Sequence, residues 1–75
     1  MRVVIEKLDN LNTRIGDKSI RDILQLPELS VWKFSYPDEP GVITSKLLLS
    51  STERVVIHQI DEDPYETIET LYILI

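Results

Sequence analysis

The chain is 75 residues long, carries a net charge of −5, and contains no cysteine and only two glycines. Two independent cores do not fit in that length, so residues 1–75 read as one domain, and the absent cysteines exclude disulfide staples, zinc ribbons and redox motifs. The acidic balance weighs against direct binding to nucleic acid or to an anionic membrane, and no apolar run approaches the length that spans a bilayer.

Ile, Leu and Val number 10, 10 and 6 while alanine is absent, so the core is built from large branched side chains. Such residues pack well on a pleated surface and lose rotamer freedom in a helix, which leans the chain toward sheet. A domain this small buries only about 60–65% of the surface its unfolded chain exposes, so it depends on dense packing or self-association.

Val3-Val4-Ile5, running on to Leu8, predicts an opening strand. Asp9 to Gly16 is rich in residues that satisfy backbone groups locally, and predicts a loop with at most one irregular helical turn. Ser19 followed by Asp22 resembles a capping box, and Ile20, Ile23 and Leu24 then share one helical face. Pro27 ends that helix after about two turns, because the residue before a proline is pushed out of the α region. Ser30 to Tyr36 alternates as a strand, with Trp32, Phe34 and Tyr36 on one side. Pro37 to Gly41 turns the chain over, Val42 to Leu49 returns, Ser50 to Glu53 turns again, and Arg54 to Ile60 completes a three-stranded meander. Asp63-Pro64-Tyr65-Glu66 has the form of a helix start, with an acid to cap, a proline in the first turn and a Glu to cap back. Tyr65, Ile68, Leu71, Tyr72 and Ile75 recur at helical spacing, although the unbroken run Leu71 to Ile75 would also suit a strand. The helical reading is preferred. The expected fold is therefore α+β: a small antiparallel sheet in the order β-α-β-β-β-α, covered on one face by one short helix and a C-terminal helix.

Charge carries the functional expectation. Residues 1–54 hold 8 basic and 8 acidic side chains, whereas residues 55–75 hold Asp61, Glu62, Asp63, Glu66 and Glu69 with no Lys or Arg. These five acids are the expected partner-binding residues, and the partner they call for is a basic protein surface. One form of such a protein is an inhibitor occupying the nucleic-acid site of another protein, a form that rests on analogy. The alternative is a structural subunit that acts by homo-oligomer assembly, since an apolar chain end such as Leu71 to Ile75 either docks on its own core or pairs with another copy.

Catalytic readings are weaker. His58 is the only histidine and alternates with Val56 and Ile60, so it reads as a half-buried, hydrogen-bonded side chain rather than a base. The Asp61-Glu62-Asp63 run offers oxygen ligands to a divalent cation, but Pro64 stands where a calcium loop must bend and no glycine serves that turn. Trp32, Phe34 and Tyr36 form a stripe like those on which bases stack, yet Asp38 and Glu39 follow directly, and core packing is the better account. No catalytic residue, metal or cofactor is assigned. The chain is expected to be a cytoplasmic, non-enzymatic interaction protein.

Overall fold

A computed structural model describes residues 1–48 and 54–75. The elements in chain order are β1 (Arg2–Leu8), β2 (Arg14–Ile15), β3 (Lys18–Ser19), α1 (Ile20–Ile23), β4 (Val31–Phe34), β5 (Val42–Leu47), β6 (Val55–Glu62) and β7 (Thr67–Leu74). The fold is thus mostly β. A five-stranded sheet runs in the order β1-β7-β6-β5-β4, with β1 parallel to β7 and every other neighbour antiparallel, and β2 and β3 form a separate two-stranded hairpin.

The expected α+β architecture with a C-terminal helix is therefore corrected, and the reason lies in residues 63–75. The Asp63 carboxylate does cap backbone donors, accepting at Oδ1 from the N–H groups of Tyr65 and Glu66 at 2.7 and 2.8 Å. Its own N–H, however, donates to the Glu66 carbonyl at 3.2 Å, which closes a turn instead of opening a helix. Asp serves both motifs because the same side-chain bond mimics a backbone turn. Beyond the turn the chain is paired on both sides, to β6 from Thr67 to Ile73 and to β1 from Ile68 to Leu74. An interior strand with neighbours on both edges satisfies its backbone groups, and the apolar run enters it as far as Leu74, with Tyr72 and Leu74 packed on the core and Leu71 and Ile73 on the opposite face.

The first helix is present and shorter than its pattern suggests. The Ser19 hydroxyl accepts from the Asp22 N–H at 3.2 Å, as the capping pattern requires. After Ile23 the backbone tightens, with Gln25 bonding Asp22 and Leu26 bonding Ile23 at 3.1 and 3.0 Å, spacings of three residues that wind the last turn closed before Pro27. The loop before the helix is more ordered than expected. Gly16 adopts φ +62° between β2 and β3, and Arg14 steadies this tight turn by donating from Nη1 to the Asp17 carbonyl at 3.0 Å. The turn expected at Ser50 to Glu53 lies outside the described residues.

The core sits on one face of the sheet only. Leu8, Leu47, Val56 and Ile57 from the strands meet Ile15, Ile20 and Ile23 from the segment between β1 and β4, with Trp32, Phe34, Tyr72 and Leu74 packed around them. A register irregularity between Val55 and Ile57 brings both Val56 and Ile57 into that core. Trp32 and Phe34 are thus core side chains, and Tyr36 packs edge-on against Phe34 with ring centroids 5.7 Å apart.

Candidate interaction surface

Pleat alternation puts a second set of side chains on the opposite face. Following the register across the sheet, one row reads Ile5, Leu71, His58, Lys46, Val31 and the next Val3, Glu69, Ile60, Thr44, Lys33. Among the described residues no element packs on this face. Val3, Ile5, Val31 and Val42 remain 58, 60, 57 and 52% exposed. Near its middle His58 Nε2 and Glu69 Oε1 are 2.8 Å apart, both partly buried, a diagonal cross-strand pair that joins β6 to β7.

The five acids expected to bind a partner are divided by the fold. Glu69 stands on the open face, committed to His58. Asp61 belongs to the covered face and borders a hollow of about 380 Å³ beside Gln59, Thr70 and Tyr72. Its carboxyl is pushed above the ordinary value, first by burial and then by the charges of Asp63 and Glu66. Asp63 is held below that value by the N–H groups of Glu66 and Tyr65, which favour the carboxylate. Glu62 is exposed at the end of β6, and Glu66 lies 3.8 Å from Arg2 with both side chains half or more in water, a loose contact worth little. Asp61, Glu62, Asp63 and Glu66 therefore gather at one end of the sheet, while Glu69 does not join them.

That end carries two further acids that the sequence reading did not include. In a run of antiparallel strands alternate turns share an end, so the β4–β5 connection with Asp38 and Glu39 lies beside the β6–β7 turn. The approach is close: a side chain at Gly41 would come within 2.8 Å of Asp61 Oδ1 and 3.4 Å of Asp63. The signal was present in the sequence, since reading residues 67–74 as a fourth meander strand places the two turns together. Tyr65, 88% exposed, stands in the same turn.

On the covered face Tyr72 donates to Gln59 Oε1 at 3.4 Å, and burial, followed by the charge of Glu6, raises its phenol above the ordinary value. No group of three or more His, Cys, Asp or Glu among the described residues is placed to hold a metal ion, and no described helix is long and apolar enough to cross a membrane. The chain matches no family model, and no curated protein or solved structure is significantly similar to it.

Proposed function

We propose that this chain is a non-catalytic interaction module that docks a partner protein on the uncovered face of its sheet, with the acidic end selecting a partner whose rim is basic. The observation that carries this reading is the exposure of Val3, Ile5, Val31 and Val42 on a face that no element covers among the described residues. Exposed branched side chains on both sides of the central His58–Glu69 pair are what protein contacts use, and they are costly to leave in water. The clustering of Asp38, Glu39, Asp61, Glu62, Asp63 and Glu66 at one end supplies orientation and a faster encounter with a positively charged partner.

The test compares capture from native extract by three proteins: the wild type, a variant with Val31→Glu and Val42→Glu, and a variant with Asp61, Asp63 and Glu66 made neutral. The wild type retains a partner, the valine variant loses it, and the neutralised variant holds it less tightly with a weaker response to added salt. Equal capture by wild type and valine variant overturns the reading.

A further inference from the structure

The two free edges of the sheet differ in kind. At one edge β4 has only four residues, between Pro27 and Pro37, and the β2–β3 hairpin packs on its Phe34 ring: a side chain at Gly16 would come within 2.9 Å of that ring. At the other, β1 has seven residues, pairs among the described residues with β7 alone, and contains no proline, glycine or bulge. Short strands, prolines and bulges are the devices that stop a sheet from adding another strand, and β1 has none of them. Its only guard is charge, and the order of those charges makes the strand complementary to itself.

Arg2 and Glu6 stand two residues to either side of Val4, on the covered face, and Val3 and Ile5 stand one residue to either side, on the open face. In an antiparallel pair of identical strands, a two-fold axis through Val4 and perpendicular to the sheet sets Arg2 opposite Glu6, Val3 opposite Ile5, and each of these again in reverse. The neighbouring register, with its axis through Ile5, sets Glu6 opposite Val4, Lys7 opposite Val3 and Arg2 opposite Leu8, leaving every charge against an apolar side chain. Opposite charges directly across a ladder are favourable and unmatched ones are not, so charge selects the first register. Arg2 is free to take part, because its contact with Glu66 is long, at 3.8 Å, and solvent-exposed.

We propose that the chain forms a homodimer in which β1 pairs antiparallel with β1 of a second copy about Val4, with Arg2 of each copy facing Glu6 of the other. The axis keeps both open faces on the same side, so two five-stranded sheets become one ten-stranded sheet whose uncovered face is doubled. The Val3 and Ile5 side chains of both copies then form one apolar seam along the middle of that face. This goes beyond the docking function, for it concerns the edge and not the face, and it gives the chain an assembled state of its own.

Sedimentation equilibrium over a dilution series at low salt tests the proposal. The wild type sediments as a dimer. Arg2→Glu and Glu6→Arg each replace two attractions by two repulsions and weaken the dimer about tenfold. Mixed in equal amounts, the two variants form a heterodimer, because one then carries acids and the other bases at both positions. The double variant R2E/E6R, with the charges exchanged, dimerises like the wild type. A wild type that stays monomeric at its highest soluble concentration overturns the proposal, as does a mixture no more associated than its separate parts. A monomer that still captures a partner through Val31 and Val42 removes the dimer and leaves the docking function standing.

Discussion

On the covered face of the sheet Leu47 and Ile57 are fully buried in a cluster with Ile20 and Ile23, whereas on the open face Val3, Ile5, Val31 and Val42 each keep more than half of their surface in water. Both faces draw on the same kinds of branched residue and obey the same alternation. The difference comes from supply: the segment between β1 and β4 delivers Ile15, Ile20 and Ile23 to one face, and the chain has no second covering segment among its described residues. Apolar side chains on a strand therefore mark a surface suited to being covered, and not which part of the chain covers it.

The sharpest way to break this comparison is to truncate one isoleucine on each face. Ile57→Ala leaves a cavity in the packed face and is expected to cost about 2–5 kcal/mol in denaturant unfolding. Ile5→Ala, measured on dilute protein, is expected to cost less than about 1 kcal/mol. Equal losses would mean that the open face is covered in solution.

The next effect concerns how the covering segment is held. Gly16→Ala places a side chain at φ +62° and within 2.9 Å of the Phe34 ring, so it strains the β2–β3 turn and pushes the covering layer off β4. The left-handed conformation alone costs about 1–2 kcal/mol for a residue with a Cβ, and thermal unfolding measures the loss.

Acid titration separates two neighbouring carboxylates. Asp63 is depressed in the folded protein by the N–H groups of Glu66 and Tyr65, so its contribution is complete above the ordinary value of 3.8 and is lost as pH falls through its lower folded value. Asp61 is raised, by burial first, so its contribution runs the other way: present below 3.8 and lost as pH rises through its higher folded value. Asp61→Asn is accordingly expected to stabilise the protein at neutral pH and to lose that advantage in strong acid, while Asp63→Ala destabilises at neutral pH. Unfolding curves for both variants across the acid range check the opposite signs.

The smallest effect is expected at Ser45, on the covered face. Its hydroxyl is fully buried and has no partner among the described residues, and the same holds for the Nε1–H of Trp32 directly across the ladder. Removing an unsatisfied group relieves its desolvation, so Ser45→Ala is expected to be neutral or stabilising by up to about 1 kcal/mol. A clear loss of stability would show that the hydroxyl is satisfied in solution.

Much of the local structure was legible in the residues. The opening strand, the Ser19 cap, the β4–β5–β6 meander and the capping of backbone N–H groups by Asp63 all rest on neighbours a few positions apart, where side-chain chemistry acts directly on the backbone. The C-terminal segment was misread because Asp63-Pro64-Tyr65-Glu66 supports a tight turn as well as a helix start, and because helical spacing and a central strand both accept Ile68, Leu71 and Tyr72. The candidate surface was legible in part: the acids of residues 61–66 do share an end, but Asp38 and Glu39 join them only through strand order, and Glu69 is drawn away by His58.

By itself the sequence determined composition, charge, the strands with strict alternation and the residues that cap and turn them, because these depend on contacts within one or two turns of chain. Tertiary structure alone decided that β7 lies between β1 and β6, which face of the sheet is covered, and that β1 is left as a long edge strand with no outer neighbour among the described residues. Pairing between strands distant in sequence is set by burial and backbone satisfaction summed over the whole sheet, and no local run of residues contains that sum.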